Sequence, residues 1–417
     1  MCTANHDLHA DGHHHETPRL TRRTLFSTLI PGAILAPSAF PQNTADMAER
    51  FRQMSADYER KGLAEPFKGI TTNGAVERGL FGIHSTGIAT TPVRIAAERF
   101  LASLTRQQRD RTMFAVDDPE WRKWMNQHFY VRQGVSFQEM TDSQRDAAFG
   151  LLEASLSARG LKLTRDIMRL NETLAELTND HEFLGEWLYF ITVMGKPSAT
   201  EPWGFQLDGH HAIVNYFVLG DQVVMTPFFA GSEPVTATSG KYKGLSILQD
   251  EQQGGLDMLL ALDSEKRAQA ILNPNKTKNY NLTEAFQDNV VIDYAGARAA
   301  GFSPPERKRL LDLVDLYVGN MDSGHARVKM DEVKRHIDRT SFAWIGGSTS
   351  QSVYYYRIQS PVILIEFDHQ RPANLSRFAK NPELPTRQHI HCVVRTPNGN
   401  DYGKDLLRQH YQSHAHA

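Results

Sequence analysis

Near its C-terminus the chain reads Gln388-His389-Ile390-His391-Cys392-Val393-Val394-Arg395. In a strand alternate residues share a face, so His389 and His391 project together with Val393 and Arg395, while Ile390, Cys392 and Val394 face the other way. Two imidazoles on one rigid strand face suit a transition metal. Cys392, on the apolar face, reads as a buried structural thiol rather than a nucleophile. Upstream, Val362-Ile363-Leu364-Ile365 is a run of four aliphatics that ends in Glu366-Phe367-Asp368-His369. That run predicts a strand buried on both faces, with Glu366 and Asp368 on one face of its end and His369 on the other. Carboxylates there are costly to bury unless paired, protonated or bound to a cation. The plainer reading is an acid bonded to one of the arginines.

A third cluster is Trp203-Gly204-Phe205-Gln206-Leu207-Asp208-Gly209-His210-His211, followed by an apolar hairpin. Leu219-Gly220-Asp221-Gln222 suits a two-residue turn that pairs Leu219 with Gln222. Extended outward, that register sets Asp208 opposite Glu233 with His210 on the same face, and turns His211 the other way with Ile213 and Asn215. A hydrogen-bonded hairpin end is the plainer reading here. Three strand ends thus bring histidine and carboxylate toward one basin. The candidate ligands of a single divalent transition metal (zinc, or copper or iron) are His210, His211, Glu233, His369, His389 and His391, with Glu366 and Asp368 as candidate catalytic carboxylates. The loop Thr396-Pro397-Asn398-Gly399-Asn400-Asp401 follows directly, and Asn398, Asn400 and Asp401, with Arg395 and Trp203, are candidates to line a polar substrate pocket. Turn formation alone would also explain that loop.

The elements that must position these residues follow from periodicity. Helical patterns run over 44–62 and 92–114, from Asp118-Pro119, and as a pair between Thr141 and Leu177 broken near Gly160, with Asp142 and Thr164 as caps. Strands are predicted at 187–193, 211–219, 222–229, 341–345, 353–358, 362–368 and 389–395, with helices between the two blocks at 248–271, 304–318 and 328–338. The expected architecture is α+β: a mainly antiparallel sheet body (about 181–417) in which the two blocks meet, with a helical N-terminal part (about 44–180).

With 417 residues, 40% apolar and 23% charged, the chain has the composition of a folded globular protein. A net charge of -2 gives no reason to expect nucleic acid as a partner. The N-terminus resembles a twin-arginine export signal: Arg22 and Arg23 precede an uncharged stretch and a small-residue segment, Ala36-Pro37-Ser38-Ala39. The expectation is a leader over residues 1–39, handled by the twin-arginine export machinery, and a single domain over 40–417 that is periplasmic or secreted, without a membrane span. Of the two cysteines, Cys2 and Cys392, the first would leave with the leader, so no intramolecular disulfide holds the fold. Gly-x-Ser-x-Gly, P-loop, dinucleotide, Cys-x-x-Cys and His-Glu-x-x-His motifs are absent.

The stretches DDPEWRKWMN, SLSARG, GHHAIVNYFVLGDQVV, SPVILIEFDHQ and HIHCVVRTPNGNDYGKDLL resemble the family catalogued as domain of unknown function 3500, over roughly residues 75 to 412. The resemblance implies an exported bacterial protein and one family-length domain, and no reaction or catalytic residues. From the residues themselves the first expectation is an exported metal-dependent hydrolase acting through metal-activated water on a polar small-molecule or polymer-derived substrate. The alternatives are a copper- or iron-dependent oxidoreductase with the same ligands and a non-catalytic periplasmic binding protein.

Overall fold

A computed structural model describes residues 44–413; the expected leader at residues 1–39 lies outside them. Among the described residues ten helices and thirteen strands form. The helices are α1 (Thr44–Gly62), α2 (Thr91–Ser103), α3 (Arg106–Thr112), α4 (Asp142–Ser155), α5 (Ala158–Thr178), α6 (Gln249–Ala261), α7 (Ser264–Ala270), α8 (Pro304–Val318), α9 (Ser323–Arg335) and α10 (Lys404–Ser413). None is long and apolar enough to cross a membrane.

Side-chain capping sets several helix boundaries. Thr141 caps α4 in a reciprocal box with Gln144, and Ser157 caps α5 by accepting from the Gly160 amide. The caps are therefore not Asp142 and Thr164, which already lie inside the helices; a cap must sit in extended backbone one residue before the first turn. The pattern over 92–114 is likewise two helices, because Leu104 is extended and Thr105 starts α3 with its own box to Gln108.

The strands are β1 (Met113–Phe114), β2 (Val135–Ser136), β3 (Tyr189–Met194), β4 (Trp203–Gly209), β5 (Ala212–Leu219), β6 (Gln222–Val224), β7 (Phe228–Ser232), β8 (Ile271–Asn273), β9 (Ala297–Arg298), β10 (Ser341–Gly346), β11 (Tyr354–Gln359), β12 (Leu364–His369) and β13 (Ile390–Arg395). They form one sheet in the order β1-β3-β4-β5-β7-β13-β12-β11-β10-β8, with β2 on β3, β6 on β5 and β9 on β10. Only β1–β3 and β10–β8 are parallel. The fold is α+β, and the two blocks of strands meet at the antiparallel seam between β7 and β13, where His391 stands opposite Gly231.

The seam inherits two different faces. Ile390, Cys392 and Val394 join an apolar cluster with Leu151, Leu170, Leu259 and Leu310 from the helices. Val393 faces the other way, into a smaller cluster with Ile213, Phe229, Trp121, Trp124 and Tyr402. Val362 to Ile365 are fully buried, and each contributes ~2 kcal/mol of burial free energy, although the strand expected from 362 begins only at Leu364. Helices cover the first face, whereas the second is covered largely by irregular chain, and it is the face to which His389 and His391 point.

The hairpin register expected for Asp208 does not hold. Leu219 does pair with Gln222, but the ladder of β5 ends at β6, and β5 pairs with β7 through Ala212 and Ala230. Pro227, without an N–H, interrupts the strand between Val224 and Phe228 and lets the register change. Asp208 lies on β4, opposite Ile213 and Phe190, because the chain reverses at His210-His211; it does not face Glu233.

Candidate metal centre

That reversal brings His211 to the seam. His211 adopts φ 67°, a left-handed conformation that histidine tolerates better than most side chains, and it is held by its N–H to the Asn126 carbonyl (3.2 Å) and its carbonyl to the Gly231 amide (2.8 Å). A Cβ on Gly231 would meet the Ile390 carbonyl at 2.7 Å and the His211 ring at 3.1 Å, so glycine is what lets the ring approach β7. His389, just before β13, and His391 within it arrive on the same side.

The three Nε2 atoms form a triangle with edges of 3.0 Å (His389–His391), 3.1 Å (His211–His391) and 3.3 Å (His211–His389). All three residues are at most 6% exposed. Their other nitrogens decide the tautomers. His389 Nδ1 lies 2.6 Å from the Arg371 carbonyl and His391 Nδ1 lies 2.7 Å from Glu284 Oε1; both partners only accept, so each Nδ1 carries a proton and, in the neutral rings that a metal requires, each Nε2 a lone pair. Two bare lone pairs thus face one another at 3.0 Å, and a proton on His211 Nε2 can relieve only part of this. A cation relieves it completely. Tetrahedral ligation with bonds of about 2.0–2.1 Å needs nitrogens about 3.3 Å apart, and octahedral ligation about 2.9 Å, and the triangle lies between these values. The described residues offer this one three-membered group of histidine, cysteine or carboxylate donors within reach of a common ion.

Burial, then the neighbouring imidazoles, hold His211 and His389 well below the usual histidine range, so both are neutral and ready to ligate. His210 is kept neutral by burial in the same way. Its ring stacks on His211 with centroids 3.9 Å apart, while its Nδ1 donates to Asn171 Oδ1 (2.8 Å). His210 therefore buttresses a triad member and does not join the triangle.

The remaining candidates are brought near or spent elsewhere. Glu233 lies 4.0 Å from His389 Nδ1, but its carboxylate accepts the backbone amides of Ala373, Asn374 and Leu375. Asp368, opposite His391 on β12, pairs with the buried Lys276 (2.7 Å) and accepts from the Tyr280 amide (2.7 Å); burial pushes it up to about 7 against the pull of Lys276. Glu366 accepts from the Leu282 and Thr283 amides, the Thr283 hydroxyl and the Tyr355 hydroxyl. His369 points to the other face, bonded to Gln252 and the Tyr354 backbone.

Four of the five residues expected in a substrate pocket have their side-chain polar groups bonded within the fold, and Asn400 lines a small cavity beside Val394 and Thr396. Trp203 is in the main core with its indole on the Ser198 carbonyl. Asn398 ties Glu77 to Pro361, and Asn400 accepts the Leu406 amide. Arg395 is buried between Asp288 (2.6 Å) and Asp401 (2.7 Å). Free Cys392 is buried, and burial raises its thiol far above the usual range, as expected of a structural cysteine. Sequence reasoning missed Glu284, which lies outside any helix or strand and has no periodic signal to mark it.

The molecule is thus a mainly antiparallel α+β body with three buried histidines gathered at the seam of its sheet. The family model described as a protein of unknown function (DUF3500) matches residues 86–404, and the chain belongs to that family. No curated protein and no solved structure matches it.

Proposed function

We propose that the protein is a metal-dependent hydrolase in which His211, His389 and His391 hold one divalent transition metal through Nε2 and leave an open position for water. The observation that carries this reading is the triangle itself, two of whose nitrogens have their lone pairs turned toward each other at 3.0 Å in a buried site. Three protein ligands with one open position is the arrangement of catalytic rather than structural zinc. Three neutral imidazoles leave the charge of the ion undiminished, which lowers the pKa of bound water toward neutrality and supplies hydroxide to attack a polar small-molecule substrate. The set of imidazoles suits copper or iron as well, and with either of those the same site would serve oxidation.

The test is elemental analysis of untagged protein beside a His389→Ala/His391→Ala double variant. About one zinc per chain, lost in a variant that still folds, supports the hydrolase; copper or iron moves the reading to an oxidoreductase. No stoichiometric metal, even after reloading, leaves a binding protein with structural histidines. We propose also that Arg22 and Arg23 mark a twin-arginine leader and that the mature chain works in the periplasm or outside the cell. N-terminal sequencing of the exported protein checks this, with a first residue near position 39 or 40 expected.

A further inference from the structure

We infer that Glu284 is the positioning carboxylate of the metal centre, and that Glu366 and Asp368 serve it at one remove by holding the segment Lys276–Glu284 that carries it. The inference rests on the metal reading of the triad. Glu284 Oε1 accepts from His391 Nδ1 (2.7 Å) and from Asn281 Nδ2 (2.8 Å), and its Oε2 is 3.4 Å from Asn126 Nδ2. Asn126 is also the residue whose carbonyl holds the His211 amide, so one carboxylate connects the supports of two of the three histidines. A carboxylate behind a ligating imidazole fixes its tautomer, orients the ring and raises the basicity of the ligating nitrogen. It also places a negative charge beside an ion that three neutral ligands leave uncompensated.

No regular element holds Glu284 there. Its segment is pinned to β12 instead: the Leu282 and Thr283 amides and the Thr283 hydroxyl donate to Glu366, and the Tyr280 amide and the Lys276 ammonium reach Asp368. From β13, Arg395 Nη1 donates to the Thr283 carbonyl (2.8 Å). The two strand-end carboxylates thus spend their acceptors on a neighbouring loop, and the product of that expenditure is one glutamate aimed at His391. The geometry makes a definite ordering: removing Glu284 acts on the metal through His391, and removing Glu366 or Asp368 acts only through Glu284.

The experiment is a titration of metal-stripped full-length chain with Co²⁺, followed by the visible d–d spectrum, for wild type, Glu284→Ala, Glu284→Gln, Asp368→Asn and Glu366→Gln, and for the last two combined with Glu284→Ala. Circular dichroism and melting of the metal-free proteins confirm folding. Wild type should bind one Co²⁺ per chain, Glu284→Ala should bind about 10- to 100-fold more weakly with a shifted spectrum, and Glu284→Gln should fall between. Asp368→Asn and Glu366→Gln should each weaken binding in the wild-type background and change it less than about twofold in the Glu284→Ala background. If one of the two does not fold, the other closes the cycle; if neither does, the order of the Glu284 variants decides. Equal affinity of Glu284→Ala and wild type would overturn the inference while leaving the metal reading intact, and additive losses would overturn the indirect role of β12. A wild-type chain that takes up neither Co²⁺ nor Zn²⁺ would instead remove the metal reading, and this inference with it.

Discussion

Two buried polar centres lie on the loop-covered face of the sheet, and they are built oppositely. Around Arg395 every strong group is matched: its Nε, Nη1 and Nη2 donate to Asp401, Thr283 and Asp288, Asp288 also takes Arg122 and the Tyr402 hydroxyl, and Tyr402 accepts from Trp124. Around His211, His389 and His391 the outer nitrogens of two rings are matched, while the inner nitrogens of all three face one another with at most one His211 proton to share among them. A satisfied network is structure, because each partner offsets the cost of burying the other. A cluster of unsatisfied acceptors of one kind is a request for a cation. The difference separates scaffold from site more sharply than residue type does, since Arg395 and Asp401 look as reactive in the sequence as the histidines.

The comparison can be broken at either centre. The largest effect should come from Arg395→Met, which leaves Asp288 and Asp401 buried without their partner: destabilisation of about 3–5 kcal/mol in denaturant unfolding, with metal affinity of the folded fraction weakened no further than Glu284→Ala weakens it, since Arg395 reaches the site only through the Thr283 carbonyl. Loss of metal at equal stability would show that the two centres have been assigned the wrong way round. Next in size, Zn²⁺ at 100 times its Kd should stabilise the chain by about 2.7 kcal/mol, reversed by chelator. His391→Leu should abolish this gain and also lower the stability of the metal-free protein by about 1–3 kcal/mol, because it leaves the Glu284 carboxylate without the Nδ1–H it accepts.

The pH dependence of stability offers a further test at the triad. His211 and His389 have folded pKa values well below their unfolded ones, so below a pH of about 6.5 the unfolded chain binds more protons than the folded one. Metal-free stability should therefore be full above that pH and fall as the pH drops, by about 1 kcal/mol per histidine for each unit. Unfolding midpoints at pH 7.5 and 5.5 measure the slope, and a His211→Leu/His389→Leu variant should reduce it by the share of those two, with the buried His128, His210 and His369 keeping the remainder. The smallest effect is expected from Gly231→Ala, whose methyl meets the Ile390 carbonyl and the His211 ring. It should cost about 1 kcal/mol or more of stability and weaken metal binding. An unchanged affinity by calorimetry would mean that His211 does not need its close approach to β7.

Much of this was legible without coordinates. Strand alternation put His389 and His391 on one face, and the aliphatic run before Glu366 announced a central strand, because period-two patterning and two-sided burial are local properties of the chain. The strand at Trp203–Gly209 was less visible, with Gly204 and Gly209 in it, and that concealed the turn at His210-His211. Which of those two histidines would reach the seam depended on one left-handed residue. The carboxylates misled for a physical reason: a buried acid needs donors, and the sequence does not say whether those donors are a metal's ligands, a lysine or the amides of a distant loop.

The amino-acid sequence by itself determined most of the longer strands, the two blocks they form, and the placing of His389 and His391 on a common face, because these depend on the spacing of apolar and polar side chains over a few residues. Tertiary structure decided the rest. It joined β7 to β13, turned His211 across the seam toward two histidines nearly 180 residues away, and brought Glu284 from a loop without regular structure to stand behind one of them. Those contacts arise from closing a sheet between distant segments, and no local pattern encodes where a distant segment will come to lie.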